Sequence, residues 1–223
     1  MTVILVATTI LFFLALDDLV LGRKARESVA AAHNARTANG PVTVRLPGGV
    51  FFAPSHTWLN LFPSGKVQLG VDDFVSRLME NPSVALLKNA GDPVAKGEPI
   101  LRLESRGHAL TVRSPIDGQI VSPNAHLTKY PQLMRESLFS DGWAYTVRPS
   151  RPADLKGLLL GEESRGWLRD EFARLRDLFA GVGNGGVLSP AMLQDGGPPV
   201  AGAMQEMDEA VWQRFEAEFL NVR

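Results

Sequence analysis

The stretch Glu104–Gly118 reads ESRGHALTVRSPIDG. Its first residues close a β-prone run, Ile100–Ser105 (ILRLES), and Thr111–Ser114 (TVRS) opens another. Two such runs separated by a few residues containing Gly give a β-hairpin, here with Gly107 at its tip. Asp117-Gly118 reads as turn chemistry, where Gly permits φ > 0. Outward from this hairpin the same pattern repeats. VTVRLP, GGVFFAP and TWLNLFPSGKVQLGV (from Val42 to Val71) alternate β-branched residues with turns, and the SGK turn predicts a second hairpin. Asp72–Met79 (DDFVSRLM) has helical spacing behind an acidic N-terminus. VALLK, the turn NAGDPVAKGEP and DGQIVSPN supply more short segments. Short strands at this spacing predict a small β-sandwich or barrel.

The chain has 223 residues, formal net charge −1 and 45% hydrophobic residues, which suits one globular domain plus attachments. A near-zero charge gives no electrostatic case for nucleic acid. The absence of cysteine excludes disulfides, thiolate catalysis and Cys-based metal or Fe–S sites. The histidines (His33, His56, His108, His126) have no paired spacing that suggests a metal site. GVGNGG follows a helix instead of a strand and lacks a following Lys-Ser/Thr pair, so it is not a phosphate loop. With no nucleophile–base set in view, the chain reads as a non-enzyme.

Val3–Leu16 is an apolar run broken only by threonine. As a helix it spans about 21 Å, short of the ~30 Å hydrocarbon core. Extended to Leu21 it reaches about 28 Å, with Asp17 and Asp18 near one interface, where a charge costs less. No basic residue precedes the run and no clear A-x-A site follows, which argues against a signal peptide. Residues 1–22 are therefore expected to be a single-pass anchor in the bacterial inner membrane, contacting the bilayer through residues 3–21. Arg23, Lys24, Arg26 and Arg36 follow it and assign the rest of the chain to the cytoplasm. Asp17 and Asp18 are candidate contacts to a membrane partner. Residues 23–41 form an Ala-rich stalk and residues 42–150 the β domain.

After Arg148 the period changes. Residues 151–180 read as a helical extension, with Trp167, Leu168, Phe172, Leu175, Leu178 and Phe179 forming a stripe that packs on the domain or a neighbour. Residues 181–203 are a Gly/Pro-rich linker. Residues 204–223 carry an acidic amphipathic helix with Met204, Met207, Val211, Trp212, Phe215 and Phe219 on one face. Such a face must be buried, against its own domain or against a partner protein. Met207, Trp212, Phe215 and Phe219 are the partner-contact candidates.

Several spaced motifs between Val44 and Leu168 resemble the H protein of the glycine cleavage system. FFAPSHTWLNL is similar to that family's Tyr-x-x-x-His-x-Trp opening strand, with His56 and Trp58 in place. GKVQLGVDDFVSRLM is similar to its strand-to-helix segment, AGDPVAKGEPILRLES to the turn leading to Glu-Ser, and SPIDGQIVSPN to the return strand. LTKYPQLMRESLFSDGWAYTVRPS resembles the closing segment and PADLKGLLLGEESRGWL the C-terminal helix. The resemblance implies a mainly β fold with flanking α, a lipoyl/biotinyl-type barrel-sandwich hybrid. To this the chain would add an N-terminal transmembrane helix and C-terminal helices. Trp58 is expected in the core.

The family pattern has Glu-Ser-x-Lys before Ser-Pro. Here Glu104-Ser105 and Ser114-Pro115 keep their separation, and Gly107 takes the place of the lipoyl lysine, flanked by Arg106 and His108. Glycine has no side chain to acylate, and arginine is a poor acyl acceptor. The resemblance so read implies no lipoyl cofactor, no metal and no carrier chemistry. His108 beside Arg106 is a weak candidate base or anion ligand, because Glu104 and Asp117 flank the tip but no acid–base pair follows from the sequence. The expected function is that of a membrane-anchored, non-catalytic scaffold or accessory subunit of a bacterial membrane complex, such as a respiratory or redox one, bound to its other protein subunits. Two alternatives stay open. One is a glycine-cleavage-type carrier with an unusual attachment point. The other is a membrane-fusion-type adaptor, although those split the lipoyl-like domain around a helical hairpin.

Overall fold

A computed structural model describes residues 46–79, 81–182, 202–205 and 207–221. The anchor (residues 3–21, with Asp17 and Asp18), the stalk and most of the linker lie outside the described residues. Among the described residues no helix is long and apolar enough to cross a membrane. Val42–Arg223 makes one compact unit.

The unit is mainly β. A six-stranded antiparallel sheet has the order β1-β2-β3-β9-β8-β5, from β1 (Val50–Ala53), β2 (Thr57–Leu61), β3 (Val67–Val71), β5 (Pro93–Val94), β8 (Gly118–Pro123) and β9 (Tyr145–Pro149). A three-stranded sheet pairs β4 (Ser83–Leu86), β6 (Pro99–Ser105) and β7 (His108–Arg113) in the order β4-β6-β7. One face of each strand is apolar: Leu101 and Leu103 of β6 and Leu110 and Val112 of β7 are buried, while Arg102 and Glu104 between them are exposed. Period-two alternation of this kind fixes strand register, because a slip of one residue would turn the charges inward. The Tyr145 hydroxyl joins the sheets. It donates to the Ile100 carbonyl at 2.8 Å and accepts the Lys88 amide at 3.0 Å.

The expected SGK hairpin is present. Phe62 N–H donates to the Lys66 carbonyl, and Gly65 takes φ +75° at the tip between β2 and β3. The helix expected from DDFVSRLM is α1 (Asp73–Leu78), whose N-cap Asp72 accepts from the Val75 amide at 3.1 Å. Short helices α2 (Ala125–Lys129) and α3 (Leu133–Glu136) lead into β9. A 3-10 turn, Pro152–Gly157, precedes the long α4 (Glu162–Val182), so the helical extension runs two residues beyond its expected end. Its stripe residues Leu168, Phe172, Leu175, Leu178 and Phe179 are buried in the domain's own core.

Gly118 departs from its sequence reading. It opens β8 opposite Pro149 and does not adopt positive φ. Glycine is needed there because a Cβ would lie 2.6 Å from the Arg148 carbonyl oxygen.

The terminal segment departs further. Gly202–Gln205 form a turn, Asp208 caps α5 (Glu209–Phe215), and a π-helical turn continues through Glu216–Leu220. Met204, Val211, Trp212, Phe215, Phe219 and Leu220 are all buried in the same core as the barrel strands, and Met207 packs against it half-buried. The expectation that Met207, Trp212, Phe215 and Phe219 contact a partner is therefore corrected. The amphipathic face is covered by the chain's own domain, and burying three large aromatics contributes roughly 1.5–3 kcal/mol each.

Candidate functional site

The hairpin tip is a two-residue turn. Ser105 pairs with His108, which leaves Arg106 at φ +50° and Gly107 at φ +87° between β6 and β7. Two successive positive φ values match the twist of the flanking strands, and glycine accepts that geometry without the steric cost of a Cβ. Space is not what excludes a side chain, since nothing lies within 4 Å of where a Cβ would stand. The backbone runs directly from one half of the domain to the other through this turn.

His108 is neither lone nor freely exposed. Its Nδ1 lies 2.7 Å from Oε2 of Glu209, and its ring stacks on Trp212 with centroids 5.0 Å apart. Gln205 Nε2 donates to Ser105 Oγ at 3.3 Å, and Glu216 accepts the Thr111 amide at 3.0 Å. The terminal segment thus runs beside the hairpin from its tip along β7 and caps a main-chain donor of that edge strand. The His108 hydrogen bond holds the Glu209 carboxyl below the usual carboxylate range. The carboxylate that pairs with His108 is not the nearby Glu104 but Glu209, 101 residues away. No sequence signal linked the two.

A second cluster surrounds His56, which stands not on a strand but in the turn between β1 and β2, at φ +58°. The imidazole is fully buried. Its Nδ1 lies 2.8 Å from Asp72 Oδ2, and its Nε2 lies 3.6 Å from Glu171 Oε2 on α4. At 3.6 Å the second contact is an ion pair without a hydrogen bond, and Nε2 has no closer protein partner. Phe74 stacks on the ring at 4.1 Å, with Trp167 at 4.9 Å and Phe219 at 6.0 Å. Burial pulls the His56 pKa down, but the charge and hydrogen bond of Asp72, followed by Glu171, outweigh it and leave it above the usual histidine value. Burial likewise raises Glu171, and His56 and then Arg174 reverse this to below the carboxylate norm. Arg174 also donates to the Glu218 carbonyl at 3.1 Å and lies 4.6 Å from the Phe219 ring centre. One polar chain therefore ties the β1–β2 turn, the cap of α1, α4 and the terminal segment together. His56, Asp72 and Glu171 are shielded from solvent while the Arg174 side chain is 40% exposed, and together they hold these elements in place. Trp58 is fully buried, as the sequence predicts. Among the described residues no group of three His, Asp or Glu side chains is placed to hold a metal ion.

Residues 50–171 match the family model described as glycine cleavage H-protein. A glycine cleavage system H protein from Stenotrophomonas maltophilia is 32% identical over 126 residues, covering 56% of this chain and 96% of that protein. One from Psychrobacter sp. is 29% identical over 118 residues, covering 53% of this chain and 94% of that protein. The crystal structure of a glycine cleavage system H protein from Mycobacterium marinum aligns at TM-score 0.48 and 25% identity, over 54% of this chain and 97% of that one.

Proposed function

Since this chain belongs to the glycine cleavage H-protein family, we propose that it is a lipoyl-type domain without a lipoyl arm, acting as a membrane-anchored accessory subunit. The observation that carries this reading is the hairpin tip. Gly107 stands at the position where the family resemblance calls for the acylated lysine, in a left-handed turn conformation. The flank of the tip is taken by Glu209 and Trp212 of the chain's own terminal segment. A domain of this kind binds through its surface, and its partners are other subunits of a bacterial membrane complex. Residues 3–21 provide the anchor and the domain lies on the cytoplasmic side.

Family membership favours one other reading, a carrier loaded at another lysine; Lys96 in the β5–β6 turn, Lys129 and Lys156 are all exposed. Intact mass of the full chain, isolated in mild detergent from cells with active lipoylation, separates the two. The unmodified mass together with co-purifying subunits is expected. A lipoyl-sized adduct on any lysine overturns the scaffold reading in favour of the carrier.

A further inference from the structure

The strand registers bring one end of the six-stranded sheet together. Val50 is paired with Asn60, Leu61 with Val67, and Val67 with Val147, so the start of β1, the β2–β3 loop and the end of β9 lie at the same end. Leu61 ends β2, and the β2–β3 loop that follows is Phe62-Pro63-Ser64-Gly65-Lys66. Leu61 is 43% exposed and Phe62 37%, adjacent large apolar residues where the strand enters the loop and polar ones are usual. Beside them opens a groove of about 460 Å³ lined by Phe51, Leu61, Phe62, Pro149 and Leu155, with Lys156 at its rim. Lys66 is the last residue of the loop, and Arg148 and Arg151 bracket Pro149. The carboxylates at this end, Asp117 and Asp154, are both engaged by Arg151. The surface is apolar at its tip and cationic around it. It is also the end at which the chain enters the barrel through Leu46–Val50, after the apolar run and basic cluster of the first residues.

We infer that this end of the barrel is a membrane-contact surface, with Leu61 and Phe62 inserting into the headgroup region of an anionic bilayer. Lys66, Lys156 and Arg148 lie against the lipid phosphates. Apolar side chains with flanking cations are the chemistry by which interfacial segments bind, by burial of apolar area plus attraction to anionic lipid. Each basic residue near such a surface strengthens the contact about fivefold. The inference deepens the anchored-subunit reading and rests on it: an anchor limits how far the domain can travel, and this surface orients it.

The lack of cysteine makes the test direct. Full-length chain carrying Ser64→Cys, labelled with an environment-sensitive fluorophore, is reconstituted into vesicles of phosphatidylcholine with or without phosphatidylglycerol. Ser140→Cys, ahead of β9 and so at the opposite end of that strand, is the control. The expected result is a blue shift at position 64, with roughly twofold quenching by lipid-borne quencher in anionic vesicles, and neither at position 140. Lys66→Gln with Lys156→Gln should return the signal toward its value in neutral vesicles. Chain that floats with the vesicles but leaves position 64 in water overturns the contact surface and leaves the anchor standing. Chain that does not float overturns the anchor reading and this inference with it. A shift seen only in native membranes assigns the surface to a protein partner instead and also overturns it.

Discussion

The two histidine–carboxylate pairs of this domain are nearly equal in length, 2.8 Å for His56–Asp72 and 2.7 Å for His108–Glu209, and unequal in almost everything else. The first is fully buried between two carboxylates and an aromatic stack, while Glu209 in the second has a side chain 60% exposed to water. Distance alone therefore says little about what a pair does. Where water is excluded, removing one partner strands a charge in a poor solvent; where water is present, the solvent replaces the partner. The buried pair belongs to the scaffold and the exposed pair to the tip.

The sharpest way to break the comparison is His56→Asn, since Asn tolerates the positive φ of that turn while removing the ring and its charge. Asp72 and Glu171 would then face each other's element without a cation between them. The expected loss is about 3–5 kcal/mol of unfolding free energy, measured by urea titration in detergent. A loss below about 1 kcal/mol, the range of exposed pairs, would erase the distinction.

The pH dependence follows from the same cluster. A histidine whose pKa is raised on folding stabilises fully below its unfolded value of 6.5 and less as pH rises through the folded value. Glu171, lowered on folding, stabilises above 4.5 and loses this as pH falls. Stability should therefore be greatest between these two values and decline toward alkaline pH, and His56→Asn should flatten the alkaline limb. An unchanged alkaline limb in that variant would place the responsible group elsewhere.

How legible this was in the sequence differs between the same two regions. The strands, the SGK hairpin and the cap of α1 depend on neighbours within a few residues, so local pattern reports them. Gly107 at a hairpin tip and Trp58 in the core were likewise readable. The pairings His108–Glu209 and His56–Glu171 were not, because each joins residues more than a hundred positions apart. The apolar face of α5 was correctly seen as needing cover, but amphipathicity states only that a face is buried, never by what. Gly118 was recognised as special for the wrong reason: close approach to Arg148 leaves the same glycine in the sequence as a positive φ does.

At the tip, Gly107→Ala tests whether the turn conformation explains the glycine. A left-handed backbone at φ +87° costs a residue with a Cβ about 1–2 kcal/mol, with no contact to offset it. The expected result is a stability loss of that size with the sheet intact by circular dichroism. A neutral substitution would mean that the turn relaxes freely and that its backbone does not require the glycine.

The smallest effect belongs to the exposed pair itself. Glu209→Gln keeps the side chain's length and a hydrogen-bond acceptor for His108 while removing the charge. The stack on Trp212 and the burial of Phe215 and Phe219 remain, and these hold the terminal segment against the hairpin. No change in the denaturation midpoint beyond experimental scatter is expected, at low or high salt. If this variant instead released the segment, seen as new protease cleavage between Gly202 and Leu220, the tip would be latched by charge. The contrast between a buried structural pair and a surface pair would then be wrong at the point where it matters for binding.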